Sequence, residues 1–220
     1  MKKKIYILLI CFILPLTACR GNGDVDYGEY ISDNRYDILL YGDDDLTAKL
    51  YLAKRESPFV ADGYCGEVCP FNELMVSFSE NVTSTPDTVV VIGDGFGGEM
   101  SYVTTKNYFT LSWGDKAEFD KQTVVTITYG KKEKECVLTS VLDEATLTGA
   151  QALDCVREYA GERFVAFTQK GYFDGEIFVR LLYDEGCWFY VGLCDKDGNI
   201  YAYLVDPLRG KVIAERKLET

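Results

Sequence analysis

Short runs in which apolar and polar residues alternate dominate the chain between Tyr36 and Leu142. They are YDILLY (36–41), LTAKLYLA (46–53), ELMVSFS (73–79), TVVVI (88–92), MSYVTT (100–105), YFTLSW (108–113), TVVTITY (123–129) and ECVLTSVL (135–142). In TVVTITY, Val124, Thr126 and Thr128 alternate with Val125, Ile127 and Tyr129, the two-residue period of a strand buried on one face. Short strands separated by turn residues predict two sheets packed face to face. The last two runs, joined at Gly130-Lys131-Lys132, predict a hairpin.

Beyond Leu142 the period changes. Thr148 and Gln151 form a T-x-x-Q capping box, and Ala152, Cys155, Val156 and Tyr159 follow at helical spacing, with Gly161 as a stop. Then come RFVAFTQ, EIFVRLLY, CWFYVGLC, NIYAYLV and KVIAE, each of strand length. The helix's apolar stripe needs a sheet to cover, which predicts one helix on an antiparallel meander. The fold class expected is mainly β with an α+β part. Residues 35–142 are expected to form an immunoglobulin-like β-sandwich, named as a class of architecture, and residues 143–220 a separate α+β domain.

The N-terminus sets the expected address. Lys2, Lys3 and Lys4 precede an apolar run, Ile5–Leu16, too short to span a membrane, and the segment 1–18 reads as a signal peptide. The sequence Leu16-Thr17-Ala18-Cys19 resembles the bacterial lipobox, which implies acylation of Cys19 and attachment to the extracytoplasmic side of a bacterial membrane, at the cell surface or in the periplasm. Each buried acyl methylene contributes about 0.8 kcal/mol, so more than one chain holds firmly. Residues 20–34, rich in Gly, Asp, Asn and Ser, are expected to be a tether between lipid and fold. Loss of the three lysines leaves 20 basic residues against 35 acidic ones, a balance of −15. Such a surface repels nucleic acid, and none is expected as a partner.

The C-terminal strands resemble a known family. The helix TGAQALDCVREYAG, then CWFYVGLCDKDG, then NIYAYLVDPLRGKVIAE is similar in order to a PepSY domain, matching at Trp188, Asp197-Gly198, Tyr201, Tyr203, Val205, Asp206, Gly210 and Val212. Arg209 stands where that pattern has threonine, and the long segment 163–183 fits an added hairpin, which makes the domain similar to cystatin-like folds. The resemblance implies binding of an envelope protein or peptide, including restraint of a peptidase, and carries over no catalytic residue.

The chain has no histidine, which removes Ser-His and Cys-His nucleophile pairs and most catalytic zinc sites. Cys65, Cys69, Cys136, Cys155, Cys187 and Cys194 are an even number in an exported chain, so disulfides are expected, with the pairing open. Asp43, Asp44 and Asp45 read as a solvated turn, and Asp195–Asn199 (DKDGN) as a hairpin turn, since glycine is absent from the sixth position a calcium loop requires. Gly93, Gly95 and Gly98 have the spacing of the dinucleotide fingerprint. A helix must start within those glycines, whereas a β pattern follows them, so they predict a turn with Phe96 projecting as a contact residue. No catalytic residue, cofactor or metal is expected. Non-catalytic protein or peptide binding leads; a carboxylate-based glycan-cleaving enzyme and a purely structural envelope component are the alternatives.

Overall fold

A computed structural model describes residues 25–82, 85–114, 119–143 and 146–218. Fifteen strands are present among them: β1 Ile31–Gly42, β2 Leu46–Glu56, β3 Val68–Phe78, β4 Val89–Gly93, β5 Phe96–Glu99, β6 Ser101–Val103, β7 Tyr108–Trp113, β8 Gln122–Tyr129, β9 Lys132–Ser140, β10 Thr168–Gln169, β11 Tyr172–Phe173, β12 Glu176–Tyr183, β13 Cys187–Cys194, β14 Ile200–Asp206 and β15 Lys211–Leu218. Two helices, α1 Gly149–Tyr159 and α2 Gly161–Phe167, lie between β9 and β10. The fold is mainly β, and thirteen of the strands belong to one sheet.

The first part of that sheet curls until it nearly closes. Strands β1-β2-β3-β7-β6 run along one side and β9-β8-β4-β5 along the other, and β9 returns to β1 through Leu39↔Ser140 and Leu40↔Thr139. Across the far side, Phe96–Glu99 pair with β4 while Ser101–Val103 pair with β7, and Met100 N–H donates to the Val89 carbonyl at 2.8 Å. Alternating residues of these strands, among them Leu39, Leu50, Leu74, Val91, Phe109, Ile127 and Leu138, fill the enclosed core.

The second part continues from the same first strand. The N-terminal half of β1 pairs in parallel with β12, and β13, β14 and β15 follow antiparallel. Helix α1 covers one face, burying Ala152, Leu153 and Val156 with Val179, Phe189 and Val191 of the sheet. Its capping box is formed: Thr148 Oγ1 accepts from Gln151 N–H at 3.3 Å and Gln151 Oε1 accepts from Thr148 N–H at 2.8 Å. The division expected near residue 142 coincides with the connection between strands and helix, yet β1 serves both parts.

Two local expectations differ from the structure. Residues 163–167 are helical in α2, because Phe164 and Phe167, three apart, fall on one helical face and pack on Phe173, while the intervening Val165 is 73% exposed. Residues 25–34, assigned to the expected tether, are part of the fold. Tyr27–Tyr30 form a short 3-10 helix capped by the Asp26 side chain, and Tyr27 meets Phe164 edge-on at 4.9 Å.

Candidate functional site

Cys19 and the rest of the lipobox lie outside the described residues. Cys65, Cys69, Cys136, Cys155, Cys187 and Cys194 are all free thiols, so the disulfides expected of them are not formed in the structure. They are spread over different strands, a loop and a helix. Burial pushes the Cys136 thiol up to about 11 and the Cys194 thiol up to about 12, the environment of inert core thiols.

The glycine stretch is a hairpin. Strand β4 turns at Asp94-Gly95, where Gly95 has φ +76°, and returns as β5. Phe96 does not project: its ring is half-buried and stacks on Trp113 with centroids 4.2 Å apart and planes 7° apart. A Cβ on Gly93 would collide with that ring, so Gly93 is the seat of the aromatic. The aspartates are also used locally. Asp43 accepts from Tyr41 Oη and pairs with Lys134, while Asp195 Oδ1 accepts from the Asp197 and Asn199 N–H groups at 2.9 Å within its hairpin.

The concentrated chemistry lies where the two parts of the sheet meet. Strand register places Phe178, Arg180 and Leu182 of β12 beside Gly192, Tyr190 and Trp188 of β13, and Arg180 beside Arg35 of β1. Asp33 of β1 is opposite Arg55 of β2, and Ala53, the neighbour of Arg35, is opposite Phe71 of β3. These side chains share the face away from α1 and form a continuous floor across β13-β12-β1-β2-β3.

At its centre Asp33 is 1% exposed. Its Oδ2 accepts from Arg180 Nε at 2.7 Å and from Arg55 Nη2 at 3.2 Å. Arg35 lies close enough to feel both other guanidinium charges. Burial is the main cause that lowers its pKa from the ordinary arginine value, and Arg180 and Arg55 push the same way against Tyr51 and Asp33. Rings cover the guanidinium faces: Arg35 lies 4.3 Å from the Tyr51 centroid, Arg55 lies 4.6 Å from Phe71 and 5.1 Å from Phe59, and Arg180 lies 4.9 Å from Phe178.

A loop, 57–67, is strapped across one end of this floor. Phe59 packs edge-on against Phe178 at 5.8 Å, and Gly63 N–H donates to Glu176 Oε1 at 3.1 Å. Glu176 is fully buried and its Oε2 accepts from Ser32 Oγ at 2.5 Å. Burial raises the Glu176 pKa, opposed by the bonds from Ser32 and Gly63. Gly63 has φ +82° and lies so close to the Asp195 backbone that any side chain would clash there.

None of these arginines stood out in the sequence, because they are far apart in the chain and each occupies an unremarkable strand position. A usable signal was the D-x-R at Asp33 and Arg35 in a strongly acidic chain, flanked by β-type residues. Elsewhere, an open groove of about 810 Å³ carries Glu158, Glu162 and Glu215 beside Tyr159 and Tyr203, and these carboxylates are exposed. The outer edge of β15 carries Lys211, Glu215, Arg216 and Lys217, charges that discourage strand addition. Among the described residues no group of three or more acidic or cysteine side chains could hold a metal ion, and no helix is long and apolar enough to cross a membrane. Compared with known proteins, the chain matches no family model, no curated protein and no solved structure.

Proposed function

We propose that this chain is a lipid-anchored protein of a bacterial envelope that binds a protein or peptide without catalysing a reaction. The observation that carries the binding reading is the joint face, where half-buried Trp188, Tyr190 and Leu182 lie beside Arg180, and Arg35 and Arg55 continue the same face on a floor of five paired strands. Aromatic and arginine side chains on a rigid support are the composition that anchors protein interfaces. The anchor reading rests on the order of lysines, apolar run and Leu16-Thr17-Ala18-Cys19. The finer fold reading is an immunoglobulin-like sandwich followed by a PepSY-like domain, supported by two strand layers around one core and by α1 lying on the meander β13-β14-β15. Glycan cleavage is less well supported: it needs two carboxylates held in contrasting environments across a cleft, and Glu158, Glu162 and Glu215 in the open groove beside Tyr159 and Tyr203 all face solvent.

Photo-cross-linking in intact cells tests the binding reading. A photoreactive residue at Trp188 should capture a defined envelope protein that the same group at Val165, exposed on α2, does not. Equal capture at both positions, or no capture together with cleavage of a defined glycan by the pure protein, rejects it. Replacing Cys19 with alanine should release the protein from membranes, and retention after a high-salt wash rejects the anchor.

A further inference from the structure

The joint face also implies what kind of ligand it takes, an inference that rests on the binding reading above. Three guanidinium groups share one carboxylate, so the cluster itself has an excess of two positive charges inside a chain of formal charge −12, with Glu73, opposite Tyr51 in register, as a further carboxylate on the same face. Its donors are not used up. Among the described residues Arg35 makes one long bond, to the Leu181 carbonyl at 3.5 Å, while Arg55 and Arg180 each donate one N–H to Asp33 and keep side chains that are 28% and 27% exposed. The rings of Tyr51, Phe59, Phe71 and Phe178 occupy guanidinium faces, whereas the N–H groups point along the edges, the geometry that grips a carboxylate in a fork.

We propose that Arg35, Arg55 and Arg180 receive a side-chain carboxylate from an extended peptide segment whose neighbouring apolar residues lie on Tyr190, Trp188 and Leu182. Charge distribution favours this ligand over a polyanion. The positive excess is local, and screening confines it to about 8–10 Å. A chain of sulfates or phosphates would run beyond it onto the acidic remainder of the surface, whereas one carboxylate between apolar side chains would not. Asp33 is a positioning residue: it fixes Arg55 and Arg180 and does not touch the ligand.

Calorimetric titration of the full chain in detergent tests this. The probe is an acetylated, amidated pentapeptide with glutamate between leucine and phenylalanine; its glutamine counterpart and dextran sulfate are the other arms. The glutamate peptide should bind about tenfold or more tightly than the glutamine peptide, as expected for a charge-assisted pair. Arg180→Gln and Arg55→Gln should each remove that preference. Arg35→Gln gives up the long carbonyl bond and the stacking on Tyr51 but also relieves the repulsion from Arg55 and Arg180, so its melting temperature should change little while the preference is lost. Equal affinity for both peptides, no binding of the glutamate peptide at millimolar concentration, stronger binding of dextran sulfate, or an unchanged preference in Arg35→Gln overturns the proposal. If capture through Trp188 persists in any of those cases, protein binding stands and the carboxylate specificity falls.

Discussion

Asp33→Ala should be the most damaging single substitution at the joint. The carboxylate is 1% exposed, and one of its oxygens serves both Arg180 at 2.7 Å and Arg55 at 3.2 Å. Removing it leaves like charges facing one another over a cavity. Breaking a buried ion pair from one side costs about 3–5 kcal/mol. Here the two arginine side chains keep 27% and 28% exposure and regain some hydration, which brings the expected loss to about 2–3 kcal/mol. For a chain of this size that lowers the melting temperature by about 4–12 °C. Asp33→Asn keeps an acceptor and loses the charge, so it should fall between wild type and alanine. Urea unfolding followed by circular dichroism gives the stability change, and a double-mutant cycle with Arg180→Met isolates the pair. The double mutant should lose less than the sum of the single losses by about 1 kcal/mol or more. A loss under about 0.5 kcal/mol for Asp33→Ala, or additive losses, would show that ring packing orients the arginines without the carboxylate.

Other consequences can be checked with the same methods. Glu176 has a raised folded-state pKa, so the folded protein binds its proton more tightly than the unfolded chain does. Its contribution to stability is therefore present at low pH and declines as pH rises from the unfolded value, about 4.3, through the raised folded value. Glu176→Gln should flatten that decline and be at least as stable at neutral pH; pH curves parallel to wild type would contradict the assignment. Gly93→Val should expel the Phe96 ring from Trp113 and cost about 1–3 kcal/mol, with Phe96→Ala restoring part of the loss. Thr148→Ala should cost about 1 kcal/mol by opening the capping box of α1, measured as a lower melting temperature.

The parts of the fold legible in the sequence are those with local causes. YFTLSW matches β7 over its full length, and TVVTITY matches β8 to within one residue, because alternation reports burial on one face. The capping box fixed the start of α1 for the same reason. What escaped depends on distant partners. Ser32 and Asp33 have the composition of a linker, yet they are buried because Glu176 and Arg180 receive them from the far end of the chain. Arg163–Phe167 contains three residues with strand propensity, but the packing of Phe164 against Tyr27 and Phe173 selected a helix. The arginine cluster follows from the parallel pairing of β1 with β12, for which no local signal exists.

That pairing has a bearing on how the chain assembles and how it can be cut. Asp33 and Arg180 stand 147 positions apart, so the outer edge of the first strand stays unsatisfied until nearly the whole chain has emerged. Contacts of such sequence separation slow folding and expose intermediates to misassociation. Neither half is a natural fragment: residues 143–220 alone would present the bare edge of β12, and residues 25–142 alone would leave one edge of the N-terminal part of β1 unpaired. A protease that nicks the connection after β9 should therefore yield two peptides that travel together on gel filtration and separate only in denaturant.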